Sequence, residues 1–223
     1  MTGADQPPPA DDPVKPPRWI EFAGRRWDVC QQRDFGNYFE ASNVVVDVHG
    51  RLFLGIARHA GQWTAAQIAL GEPLAHAEYA LLVESPLDFP NNVVLSFALR
   101  RDDEHEIAIQ LSPWWGRPSN AQFRIEDPER LPDGFLDTFR LPTDRPLTSH
   151  HIRWSPTSLD FACYDARPRF LRGSRLLHEA QLDIAIPTEG YQLVVGFWLF
   201  RGDAPGDNRD QRLWVRDVAI EEL

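Results

Sequence analysis

The stretch His105–Trp115, HEIAIQLSPWW, decides the fold class. Apolar residues occupy positions 107, 109 and 111, and the residues between them are Glu106, Ala108 and Gln110. This alternation is typical of a β-strand with one face in a core and the other face toward solvent. The stretch therefore predicts a half-buried strand whose second face is polar.

Short strand-like runs of the same kind recur along the whole chain. Trp19–Phe22 precedes a tight turn and a second short strand, and two β-rich runs flank the turn at His49-Gly50, where glycine supplies a positive φ. Tyr191–Arg201 is a strongly apolar strand. The one helix candidate, 171–180, is weak, and no repeat with a fixed period is present. Many short strands separated by turns predict an all-β sandwich or barrel.

Length and composition limit the organisation of the chain. Its 223 residues suffice for one large β domain, predicted over 18–223, after a disordered Pro-rich tail at 1–17. The net charge of -10 argues against nucleic acid and anionic membranes as partners. No apolar run reaches the length of a membrane span. The N-terminus lacks a basic start and an apolar core, so we expect no secretion signal and a cytoplasmic location by default.

Several site classes find no support in the sequence. The histidines show no metal-ligand spacing with cysteine, and no glycine-rich phosphate loop or nucleophile elbow is present. Cys30 and Cys163 favour two reduced thiols, although a disulfide stays open. The chain has 8 Trp, and flat indole faces suit sugar rings. Burial in the core is nevertheless the commoner explanation for any single Trp.

Glu106–Gln110, with the order Glu-Ile-Ala-Ile-Gln, resembles the Glu-Ile-Asp-Ile-Glu signature of glycoside hydrolase family 16, the laminarinase and lichenase group. Four other stretches are similar to family patterns in the same order. They are 37–56, the Trp-x-x-Ala-x-Ile run in 61–68, the Asn-x-Gln-Phe run at 120–125, which resembles bacterial members, and the hairpin 149–161. The resemblance implies a concanavalin A-like jelly roll, in which two curved antiparallel sheets surround a cleft.

The resemblance also implies catalytic roles that this chain has largely lost. In the family the first Glu is the nucleophile, the Asp assists it and the last Glu is the acid/base. Here Glu106 keeps the nucleophile position, Ala108 replaces the Asp, and Gln110 replaces the acid/base. Retaining hydrolysis needs two carboxyl groups about 5–5.5 Å apart. An amide has no proton to donate to the leaving oxygen, so we expect ordinary hydrolysis to be lost.

The leading hypothesis is a non-hydrolytic relative that binds a β-glucan-type oligosaccharide or polysaccharide in its concave cleft. The candidate glycan-binding residues are Trp63, Gln67, Trp114, Trp115, Asn120, Gln122 and His150. Trp154, Trp198 and Trp214 lie in apolar strands and are expected in the core. No cofactor is expected, and a structural calcium is implied by the resemblance alone.

Two alternatives remain open. One is an active retaining glycosidase with Glu106 as nucleophile and a displaced acid, for which Glu104 and His105 are the nearest candidates. The other is a jelly roll used for protein contacts, with a vestigial cleft. Relatives mostly act outside cells, so the absence of a secretion signal favours the second alternative.

Overall fold

A computed structural model describes residues 18–34, 36–113, 118–166 and 174–223. The predicted tail at 1–17 lies outside these residues, as do Trp114 and Trp115. No helical segment in the described ranges has the length and apolar character needed to span a membrane.

The described residues form eighteen strands. In chain order these are β1 (Trp19–Phe22), β2 (Arg25–Val29), β3 (Arg33–Asp34), β4 (Asn37–Tyr38), β5 (Val44–Val46), β6 (Leu52–His59), β7 (Gln62–Thr64), β8 (Ala66–Leu70), β9 (Ala77–Val83), β10 (Val93–Arg100), β11 (Glu106–Leu111), β12 (Ala121–Asp127), β13 (Leu131–Phe139), β14 (Thr148–Trp154), β15 (Leu159–Asp165), β16 (Arg175–Leu182), β17 (Gln192–Leu199) and β18 (Gln211–Glu222). Two 3₁₀ turns, Ala41–Asn43 and Phe200–Gly202, are the only helical segments in the described parts of the chain.

Sixteen of the strands form two large antiparallel sheets, and β3 pairs with β4 in a small sheet of their own. Sheet I has the order β1-β2-β8-β17-β10-β11-β12-β13, and sheet II has the order β16-β15-β14-β9-β18-β6-β5, with β7 paired to β6. Some neighbours are consecutive strands, and others come from distant parts of the chain, as in the pairing of β17 with both β8 and β10. This two-sheet architecture confirms the predicted jelly roll.

One apolar core fills the space between the sheets. On β11, Ile107, Ile109 and Leu111 are buried in this core, as the alternation predicted. The core also holds two fully buried tryptophans, Trp27 and Trp154. Each indole donates its Nε1 hydrogen to a backbone carbonyl oxygen, at 3.0 Å in both cases, so neither polar atom is left unsatisfied.

Local sequence sets the turns between strands. The first hairpin turns at Ala23-Gly24, where φ is 52° and 71°, and the hairpin between β5 and β6 places Gly50 at φ 75°. The helix candidate at 171–180 is wrong where the structure describes it, because 175–182 is strand β16, hydrogen-bonded to β15. Residue exposure alternates along β16, which is typical of a strand at the side of a sheet.

Candidate functional site

The outer face of sheet I carries the residues of the sequence signature, and we call it the cleft face. Glu106, Ala108 and Gln110 project from β11 on this face, because the intervening residues enter the core. The register places Arg100 of β10 opposite Glu106 on one side, and Glu126 of β12 opposite it on the other. The signature positions therefore share one surface with the strands on both sides.

Gln110 is held in a chain of amide hydrogen bonds. Gln122 on β12 donates its Nε2 hydrogen to Oε1 of Gln110 at 2.8 Å, and Gln110 donates its own Nε2 hydrogen to Oε2 of Glu106 at 3.4 Å. Gln110 is only 3% exposed. The residue at the acid/base position is thus a buried neutral donor whose oxygen already has a partner. It supplies an N–H to the carboxylate but no proton for transfer.

The surroundings of Glu106 disfavour its charged form. Burial raises the pKa of Glu106 above its ordinary value, and the charge of Glu126 adds to that effect. The guanidinium of Arg124, 3.7 Å away, and that of Arg100 act in the opposite direction. Arg124 also contacts the carboxylate of Glu126. A nucleophile must be ionised to attack a sugar, so burial works against this role of Glu106.

The cleft face has two open spaces of very different volume. Beside Glu106 the free volume is about 30 Å³, which is room for roughly one water molecule. An adjoining groove of about 530 Å³ runs over β17, β8 and β2, with Gln67, Cys30 and Gln192 among its lining residues. Arg100 lines both spaces and is fixed by Asp34 at 3.0 Å. The groove volume is in the range of small-molecule sites, and the space beside Glu106 is not.

Trp198 borders the space beside Glu106, although the sequence predicted it to be a core residue. A Cβ atom built on Gly196 would lie 3.1 Å from Cδ1 of Trp198 and 3.6 Å from Oε1 of Gln67. The indole of Trp198 therefore lies beside the bare backbone of Gly196, next to Gln67. The prediction for Trp198 is wrong because both faces of β17 are apolar, and such a run does not reveal its buried side.

The structure places the predicted glycan-binding residues in different parts of the molecule. Gln67 and Gln122 lie on the cleft face, Gln67 beside the groove and Gln122 at the buried amide chain. Trp114 and Trp115 lie outside the described residues. The remaining three candidates, Trp63, Asn120 and His150, have other positions.

His150 does not reach the cleft. It is on β14 of sheet II, is 1% exposed, and points into the core, where its ring nitrogens lie 3.0 Å from Oγ1 of Thr148 and 3.2 Å from Sγ of Cys163. Burial, with a contribution from His151, lowers the pKa of His150 to about 3, so the ring is neutral at pH 7. The prediction for His150 is corrected because the parity of β14 directs this side chain inward. His151 points to the opposite face.

Trp63 and Asn120 have structural contacts. Trp63 is on β7, at the side of sheet II, and packs half-buried against the core. The side chain of Asn120 accepts the backbone N–H of Leu141 at 2.7 Å and donates to its carbonyl at 3.0 Å, which fixes the ends of β12 and β13. Neither residue lines the groove over sheet I.

The predicted substitutes for the missing acid are also displaced from Glu106. Glu104 is exposed in the loop before β11, and His105 projects to the opposite face from Glu106. The residue that sequence reasoning missed is Glu126, which the register places directly across from Glu106. No local signal marks it, because the pairing of β11 with β12 aligns residues twenty positions apart.

The two cysteines are free thiols that differ in how deeply they are buried. Cys30 is half-buried and lines the groove, and burial raises its pKa. Cys163 is fully buried in the core beside His150. The structure therefore contains the two reduced cysteines that the sequence favoured.

Comparison with known proteins supports the fold. No family model and no curated protein matches the sequence. Solved structures do match. A laminarinase from Flavobacterium sp. UMI-01 superposes with a TM-score of 0.66 at 11% identity, covering 88% of this chain and 93% of that one.

Two further solved structures share the fold. The GH16 protein of the Bacteroides ovatus mixed-linkage glucan PUL, in complex with its G4G4G3G product, has a TM-score of 0.64 at 12% identity, covering 87% of this chain and 94% of that one. An immunostimulatory antigen and pseudo β-1,3-glucanase of Mycobacterium tuberculosis has a TM-score of 0.65 at 15% identity, covering 88% and 91%. The chain therefore has the glycoside hydrolase family 16 fold, which confirms the resemblance at the level of fold.

Proposed function

We propose that this protein is a non-hydrolytic glycan-binding member of the glucanase-like fold, and that a β-glucan oligosaccharide occupies the groove over β17, β8 and β2. The observation that carries the proposal is that β11 presents a carboxylate at Glu106 but an amide at Gln110. Glu106 is paired with the neutral amide of Gln110 instead of a second carboxylic acid, and burial raises the pKa of Glu106. General acid–base help is worth about 10²–10⁴-fold in rate, and this site lacks its usual source.

The groove offers the groups that a sugar needs. Gln67 and Gln192 carry amides that donate to and accept from hydroxyl groups, and Arg100 adds a fixed charged donor. The half-buried Trp198 lines the small space that adjoins the groove through Gln67 and Arg100, and its indole presents an apolar surface on which a pyranose ring can stack. Polar groups around an aromatic surface are a common composition of ligand sites. Several solved structures of the same fold act on or hold β-glucans.

The test is calorimetry with β-1,3-glucan and mixed-linkage glucan oligosaccharides, together with an assay for newly formed reducing ends. We expect binding without release of reducing sugar. Trp198→Ala should weaken binding about tenfold or more, because the stacking surface is lost. Trp63→Ala is the matched control, since Trp63 packs outside the groove and its removal should leave affinity unchanged once folding is verified.

The outcomes separate three functions. Binding that depends on Trp198 but not on Trp63 supports the proposal. The absence of binding to every oligosaccharide, with a folded protein, contradicts it and favours the use of this fold for protein contacts. Release of reducing sugar from any of these glucans also contradicts it and favours catalysis.

One observation favours a catalytic alternative. Glu126 lies directly across from Glu106 on the neighbouring strand, where cross-strand side chains are about 4.5–5.5 Å apart at Cβ. A retaining glycosidase needs its two carboxyl groups about 5–5.5 Å apart, a spacing that the side chains of two opposed glutamates can adopt. In this alternative Glu106 is the nucleophile and Glu126 the acid. Hydrolysis that is abolished separately by Glu106→Gln and by Glu126→Gln would establish it.

A further inference from the structure

A cluster of metal-ligand groups lies at one end of the sandwich, on the opposite side of sheet I from the cleft face. Ligand atoms of His105, Asp127 and Glu129 all lie within 4.8 Å of one another. His105 immediately precedes β11, Asp127 is the last residue of β12, and Glu129 is in the turn that follows. The fold therefore brings together side chains that are more than twenty positions apart.

The imidazole of His105 has one nitrogen occupied and one available. Nδ1 lies 2.7 Å from Oδ1 of Asp102, within hydrogen-bond distance. An ionised carboxylate only accepts hydrogen bonds, so Nδ1 carries the proton. In the neutral ring Nε2 then has a free lone pair. Metal-ligating histidines are commonly held by a carboxylate in this way.

The available nitrogen is buried, in a side chain that belongs to the cluster. His105 is 6% exposed, and its Nε2 has no hydrogen-bond partner among the described residues. Asp127, one of the nearby carboxylates, is itself 1% exposed. A buried polar atom without a partner is uncommon in folded proteins and calls for an explanation.

We propose that His105, Asp127 and Glu129 form a binding site for a divalent transition-metal ion, with Zn²⁺ as the best match. One imidazole nitrogen and two carboxylates form a ligand set that suits zinc better than calcium or magnesium, which take oxygen ligands. Because the three ligand atoms lie within 4.8 Å of one another, an ion can be placed within about 2.8 Å of all three atoms. Bonds from zinc to nitrogen and oxygen ligands are roughly 2.0–2.2 Å long. Small side-chain rotations close the difference.

Two arginines lie beside the cluster and balance part of its negative charge. Arg130 lies 3.3 Å from Asp127 and 3.1 Å from Glu129, and Arg101 lies 3.8 Å from Glu129. The side chain of Arg130 is 32% exposed, so it has a route into solvent when a cation takes its position. Arg130 and a bound metal ion would therefore compete for the same two carboxylates. An ion bound here would cross-link the start of β11 to the end of β12 behind the cleft.

The experiment uses the full chain without a histidine tag and measures Zn²⁺ binding by calorimetry and by metal analysis after dialysis. We expect one ion per chain. Glu129→Gln and His105→Ala should each weaken binding at least about tenfold, Asp102→Asn about 10–100-fold, and Arg130→Gln should tighten it. His49→Ala is the matched control, because His49 is exposed in the β5–β6 turn.

Cobalt(II) provides a second readout, since a low-symmetry site with a nitrogen ligand gives a visible absorption band that hydrated Co²⁺ lacks. Loss of the band in Glu129→Gln, a substitution at an exposed position, supports the site without risk to the core. The proposal is overturned if the natural chain binds no Zn²⁺ at micromolar concentrations. It is equally overturned if Glu129→Gln, His105→Ala and Arg130→Gln leave the affinity unchanged.

Discussion

Replacing Glu106 by Gln should stabilise the protein at neutral pH. Burying the charged carboxylate of Glu106 costs several kcal/mol of desolvation free energy. One long hydrogen bond from Gln110 and the nearby charge of Arg124 offset part of that cost. At an effective dielectric constant of about 20, a guanidinium 3.7 Å away contributes about 4.5 kcal/mol. Because burial raises the pKa of Glu106, desolvation outweighs these attractions.

The predicted gain has a definite pH dependence. A pKa that is higher in the folded state means that the folded protein binds the proton more tightly than the unfolded chain. The stability of the natural protein therefore falls as pH rises from the unfolded value of 4.5 through the raised folded value. Glutamine does not titrate. The advantage of Glu106→Gln should be near zero below pH 4 and about 1–2 kcal/mol at pH 8.

The measurement is urea unfolding at a series of pH values, supported by thermal denaturation. A gain of about 1–2 kcal/mol corresponds to an increase in Tm of about 2–8 °C for a domain of this size. Glu104→Gln is the matched control, because Glu104 is exposed two residues away and should change little. If Glu106→Gln lowers stability at pH 8, or if its effect is the same at pH 4 and pH 8, the electrostatic account of the site is refuted.

Three further predictions follow from the packing and the groove. Gly196→Ala should weaken oligosaccharide binding in calorimetry, because the new Cβ atom would lie 3.1 Å from the Trp198 ring and displace the ring. Unchanged affinity would show that Trp198 does not contact the glycan. A bulky thiol reagent should label Cys30 slowly in the native protein, leave the buried Cys163 unlabelled and block glycan binding. Mass spectrometry identifies the labelled cysteine, and labelling of Cys163 in the native protein would contradict the prediction. Trp27→Ala should cost about 3–5 kcal/mol in chemical denaturation, since the side chain is fully buried, and a cost below 1 kcal/mol would contradict the described packing.

The sequence alone determined the strands and much of their orientation. The alternation in His105–Trp115 predicted which residues of β11 face the core, and Gly50 marked a hairpin. The motif resemblance predicted the jelly roll, which the two-sheet structure confirms, and the loss of the acid at Gln110, which stays a prediction. The inferences about strands and turns succeed because a strand alternates its side chains with a period of two, and because positive φ favours glycine.

Only the tertiary structure decided which side chains meet. Strand β17 is apolar on both faces, so its pattern could not show that Trp198 faces the cleft, and a motif match drew His150 toward the cleft although strand parity directs it inward. The pairing of Glu106 with Glu126 and the approach of His105 to Asp127 depend on the register between β11 and β12. The alternation within each strand shows which face a side chain takes, but it does not show which residue of the neighbouring strand lies opposite, since that also depends on the geometry of the connection.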